Sequence, residues 1–161
     1  MTNVFRASLL VAFGLLVPVS AAWGANWLLV TNAPDGATYS VDLSTVSRKG
    51  PLTQFWVKID FTKRFASEAA QARGELPSAA VCDRFPQRSD CKIARETPAF
   101  ESDYMAVRCA GRMLAILANQ QTNRFGGLIR AQEMTGSEAP FASIPPESAG
   151  EALYKVICKS Q

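Results

Sequence analysis

The sequence contains no histidine. That absence removes Ser/His/Asp and Cys/His nucleophile pairs and every histidine-metal site. It also lacks a C-x-x-C pair: its four cysteines stand at Cys82, Cys91, Cys109 and Cys158, spacings that do not gather thiolates around zinc. No Gly-rich loop sits between a strand and a helix in a phosphate-binding arrangement, and Gly126-Gly127 reads as a hairpin loop. No apolar run is long enough to span a membrane, because the longest, Ala7 to Val19, cannot cross about 30 Å of hydrocarbon as a helix and is interrupted by Pro18. Charge of one sign is also scarce, with 17 basic against 14 acidic residues and a net +3. A nucleic-acid binder usually concentrates basic residues on one face. The expectation is therefore a protein that is not an enzyme, holds no metal or cofactor and binds no nucleic acid. Glu101 and Asp103 come closest to a catalytic carboxylate pair, but near a strand edge they read as solvated surface charges.

What is present begins with a leader. Arg6 supplies the positive charge, residues 7–19 the apolar stretch, and Ser20, Ala21, Ala22 and Gly24 the small residues of a cleavage region. Residues 1–24 read as a signal peptide cut before Ala25, with a cut before Trp23 as second choice. Cleavage takes Arg6 alone from the 17 basic residues, leaving 16 against 14 acidic. No cysteine lies near the cut, so no lipid anchor is available. Residues 25–161 are one domain's length. The product is expected to be exported without stable membrane insertion, to the periplasm first, with the cell surface or medium as alternatives.

An even number of cysteines in an exported chain implies two disulfides, drawn from three possible connectivities. The spacing favours Cys82 with Cys91, closing a small loop, and Cys109 with Cys158, tying the middle of the chain to its end. By the chain-entropy model the short closure is worth ~3 kcal/mol and the long one ~4 kcal/mol.

Six strands are expected. Trp27 to Thr31 and Thr38 to Asp42 form a hairpin around Asn32, Pro34, Asp35 and Gly36. Asp42 then precedes Leu43 to Val46, where its carboxylate is placed to start a single helical turn. Gln54 to Phe61 is the clearest strand, with Phe55, Val57, Ile59 and Phe61 on one face. Trp56, on the polar face, reads as a cross-strand packing partner. Ser102 to Cys109 and Arg112 to Asn119 are joined by a two-residue turn at Ala110-Gly111, with glycine supplying the positive φ. Met113 to Ala118 is apolar on both faces, which places it inside the sheet. Leu128 to Met134 is the sixth strand. Ser148 and Glu151 make an S-x-x-E capping box for a helix from Ala149 to about Lys159, whose stripe is Ala149, Ala152, Leu153, Val156 and Ile157. The fold class is α+β: an antiparallel sheet of about six strands, a C-terminal helix packed on one face, and two disulfides.

Residues 62–100 interrupt this pattern as an insertion. Phe65 to Arg73 has a helical composition, and Gly74, Pro77, Pro86 and Pro98 preclude long regular structure beyond it. A loop of this length needs a constraint, which the Cys82–Cys91 bridge supplies. Arg84, Arg88, Lys92 and Arg95 lie in this loop and are the candidate protein-binding residues, since a closed loop is preorganised and arginine pairs well with carboxylates and sulfates.

Several segments together resemble the surface-adhesin protein E family: the leader, Trp27, Tyr39-Ser-Val-Asp42 with Thr45, Val46 and Arg48, Phe55-Trp-Val-Lys58, Cys109-Ala-Gly-Arg112, and Ile144-Pro-Pro-Glu-Ser148 through Glu151, Leu153 and Cys158. The similarity covers the mature chain except Thr62 to Phe100. It implies a sheet of about six strands with a C-terminal helix, a bridge between Cys109 and Cys158, and a non-enzymatic role in binding host extracellular-matrix or serum proteins. The alternative expectation is a soluble periplasmic inhibitor of a hydrolase such as lysozyme.

Overall fold

The computed structural model describes residues 25–64, 77–134 and 139–159. The leader and the Phe65 to Arg73 segment lie outside them. Strands β1 (Trp27–Asn32), β2 (Thr38–Lys49), β3 (Leu52–Asp60), β4 (Pro98–Arg108), β5 (Met113–Asn123) and β6 (Leu128–Glu133) form one antiparallel sheet in chain order. A two-residue β7 (Ala142–Ser143), absent from the sequence reading, pairs with the start of β5. Helices α1 (Ala79–Arg84) and α2 (Ser89–Glu96) lie between β3 and β4, and α3 (Ala149–Lys159) closes the chain.

The core forms on one face of this sheet because alternate residues of each strand point there. Phe55, Val57 and Ile59 of β3 are buried, with Val41 beside Val57 and Met105 beside Phe55. Leu153 and Ile157, one turn apart on α3, complete the cluster. The Ser148 hydroxyl accepts from the Glu151 N–H at 3.1 Å, and the Glu151 carboxylate accepts from the Glu147 N–H at 2.8 Å. This is the expected capping box with its carboxylate reaching one residue further back. The Cys109–Cys158 bridge, with Cα atoms 5.7 Å apart, fixes the last turn of α3 to the sheet.

Four expectations need correcting. No helical turn follows Asp42: β2 runs on to Lys49 through a register irregularity between Asp42 and Ser47. There the Asp42 carboxylate accepts from the N–H groups of Asn26 and Ser44 and from the Ser44 hydroxyl, while the Thr45 hydroxyl accepts from the Trp56 N–H at 3.0 Å. Side chains thus stand in for ladder bonds. The β4–β5 turn takes four residues, Cys109 to Arg112, and the left-handed residue is Arg112 (φ 49°) rather than glycine. Its guanidinium bonds Glu151 at 3.0 Å and lies 5.1 Å from the Tyr154 ring centroid, so α3 holds it there. β4 begins at Pro98, where the first position of a strand tolerates a missing donor, and β5 continues to Asn123. Finally, the stretch between Pro77 and Pro98 is two short helices rather than irregular chain. Trp56 does pack across strands, its ring 5.1 Å from that of Tyr104.

Candidate functional site

The insertion's described part is a helical hairpin. Ser78 caps α1 by accepting from the Val81 N–H, and Pro86 follows the helix end at Phe85. Cys82 and Cys91, both buried, bridge α1 to α2 with Cα atoms 5.3 Å apart. All four candidate cations sit exposed on this hairpin, but they do different things. Arg88 grips Asp90 with two hydrogen bonds, at 3.0 and 2.6 Å, and that pairing holds the Asp90 carboxyl below its usual range. Arg95 donates to the Cys82 carbonyl and to Asp83, both at 3.1 Å, joining the two helices. Arg84 and Lys92 have no acidic partner among the described residues; the Arg84 guanidinium lies 5.6 Å from the Phe85 ring centroid. Sequence reasoning missed the apolar half of the surface: Phe85 is 49% exposed and Ile93 59%. The signal was an aromatic residue beside Pro86 and an isoleucine between Lys92 and Ala94, both in a segment read as irregular.

Glu101 and Asp103 are not the solvated strand-edge pair the sequence implied. They occupy the core-facing side of β4, in register with Ile59 and Val57 on one neighbour and Gln121 and Asn119 on the other. Asp103 is only 1% exposed. The Asn119 side-chain amide donates to Glu101 and to Asp103, each at 2.6 Å, and Gln121 donates to Glu101 at 3.0 Å. Burial above all, with the Glu101 charge adding to it, pushes Asp103 up to about 7 against the lowering effect of the Asn119 hydrogen bond. Gln121 and Asn123 went unnoticed because β5 was expected to end at Asn119. Among the described residues no group of three acidic or cysteine side chains is placed to hold a metal ion.

A family model described as surface-adhesin protein E matches residues 27–159. The chain belongs to that family. No curated protein matches it. Solved structures similar to it include Haemophilus influenzae protein E, at 12% identity over 83% of this chain and 84% of that one with a TM-score of 0.46. Crystal form II of the same protein gives 10% identity, 76% and 80% coverage and a TM-score of 0.43. Protein E from non-typeable Haemophilus influenzae gives 12%, 89% and 82%, and 0.43.

The matched span of this surface-adhesin protein E member takes in both disulfides, the hairpin and the carboxyl pair. Two bridges fit the oxidising compartment an exported protein reaches. Among the described residues no helix is long and apolar enough to cross a membrane.

Proposed function

We propose that this chain is an exported, non-enzymatic protein-binding domain whose contact surface is the disulfide-closed α1–α2 hairpin. Membership of the surface-adhesin protein E family supports binding as the activity. The observation that carries the location is the exposure of Phe85 and Ile93 on a segment clamped by a buried bridge. Large apolar side chains held rigidly in solvent supply contact area without an ordering cost on binding. Arg84 and Lys92 flank them and are not engaged in holding the hairpin together, so they favour a partner surface bearing carboxylates or sulfates. Host extracellular-matrix and serum glycoproteins carry such groups.

Solid-phase binding of residues 25–161 to immobilised matrix and serum glycoproteins tests this reading. Alanine at Arg84, Arg88, Lys92 and Arg95 together is expected to weaken binding at least tenfold. The Arg84→Ala/Lys92→Ala pair, which removes no ion pair of the hairpin, separates contact from folding and is expected to give most of the loss. Undiminished binding by both variants, or no binding by the parent chain, overturns it. A lytic assay with lysozyme is expected to show no inhibition; inhibition without glycoprotein binding would identify a hydrolase inhibitor instead.

A further inference from the structure

Asn119, Gln121 and Asn123 occupy alternate positions of β5 and so point to one face of the sheet. The first two hold Glu101 and Asp103; the third donates its side-chain N–H to the Arg95 carbonyl in α2 at 2.9 Å and accepts from the Phe125 and Gly127 N–H groups. One row of amides therefore runs from the carboxyl pair, of which Asp103 is buried, to the base of the hairpin. The chain connects the same two points directly, since Glu101 follows the end of α2 at Glu96 by five residues.

Neither carboxyl has a cationic partner among the described residues. Val57 and Ile59, their neighbours on β3, are apolar. On β6, Arg130 lies in register with Gln121 but donates to Gln132. The one titratable group facing the pair from β2 is Tyr39, whose hydroxyl is pushed up by burial first and then by Asp35, Glu101 and Asp103, with Arg64 opposing. A buried Asp103 beside the half-buried Glu101, with no cation, ionises only at a cost.

We propose that the Glu101–Asp103 pair is a proton-operated lock beneath the hairpin. With one proton on the pair, the amide row holds the β4–β5 end and α2 together. Losing it sets a buried charge on Asp103 against that of Glu101, loosens the row and frees the hairpin. Acid closes the lock and alkali opens it. The consequence for binding rests on the hairpin being the contact surface; the lock itself does not. The raised Asp103 pKa, about 7, places the transition near neutrality.

Hydrogen exchange of the disulfide-intact mature chain at pH 5 to 8, corrected for intrinsic rates, tests the lock without any binding partner. Protection of residues 79–96 is expected to fall by up to about tenfold per pH unit from pH 5 to pH 7 and to level off above it. Asp103→Asn, which mimics the protonated form, is expected to keep its protection across the range. Glu101→Gln, which removes the like charge that helps raise Asp103, is expected to move the loss to lower pH and to shrink it. Constant protection in the parent chain, or the same pH dependence in both variants, overturns the proposal. Infrared spectroscopy of the parent chain is independent of variant folding: a protonated carboxyl band is expected at pH 6, and its absence would contradict the lock.

Discussion

Asp42 and Asp103 are both buried aspartates, and their surroundings push them in opposite directions. Asp42 accepts from the Ser44 hydroxyl and from two backbone N–H groups, and those bonds, the hydroxyl first, hold its carboxyl below the usual value. Its contribution to stability is present above the unfolded carboxyl value and is lost as pH falls through the depressed folded one. Asp42→Ala is expected to cost about 1–3 kcal/mol at pH 7, since it strands the Asn26 and Ser44 donors. Urea unfolding checks this, with the difference shrinking in acid below pH 4. Asp103 has the opposite sign. Its folded value of about 7 lies above the unfolded 3.8, so between those values the folded chain holds a proton the unfolded chain has released, and stability falls as pH rises through that window. Asp103→Asn is expected to melt above the parent chain at pH 8 and alongside it at pH 3. Thermal unfolding at the two pH values decides the sign.

At the scale of elements, α3 completes the core on one face of the sheet and its bridge fixes it there. Leu153→Ala is expected to cost about 2–5 kcal/mol by opening a cavity in the core cluster it shares with Val41 and Phe55, and Ser148→Ala about 1 kcal/mol through loss of the cap, both read by urea unfolding. The two disulfides should differ: replacing Cys109 and Cys158 by alanine is expected to lower global stability by about 2–5 kcal/mol. Replacing Cys82 and Cys91 is expected to cost less, up to about 3 kcal/mol, and to open residues 79–96 to limited proteolysis. These elements were also the most legible. β3 showed in the alternation of Phe55, Val57 and Ile59, α3 in Ser148 and Glu151 ahead of an apolar stripe, and the bridges in an even cysteine count. The extension of β5 was not, because Gln120, Gln121, Thr122 and Asn123 carry no apolar alternation and are strand only through pairing with β4 and β6. α1 and α2 are too short for propensity to mark them. The carboxyl pair was noticed but read as solvated for a related reason: burial of Asp103 follows from register with Val57 and Asn119, and register is a tertiary property.

For the whole molecule, the sheet is a scaffold with its constraint at one corner, where α3, Cys158 and Tyr154 tie down the β4–β5 turn. Tyr154 donates its hydroxyl to the Cys109 carbonyl at 3.1 Å and carries Arg112 over its ring. The hairpin leaves the opposite ends of β4 and β5, beside Pro98 and Asn123, so a contact there does not require the tied corner to move. Cell fractionation with N-terminal sequencing is expected to find a product beginning at Ala25 in the periplasm or beyond it. The hairpin's role is tested most directly by measuring binding of Phe85→Ser/Ile93→Ser to the immobilised matrix and serum glycoproteins that the parent chain binds. With both disulfides formed and the melting temperature unchanged, binding is expected to fall at least tenfold. Binding equal to that of the parent chain would contradict the assignment of the hairpin as the contact surface.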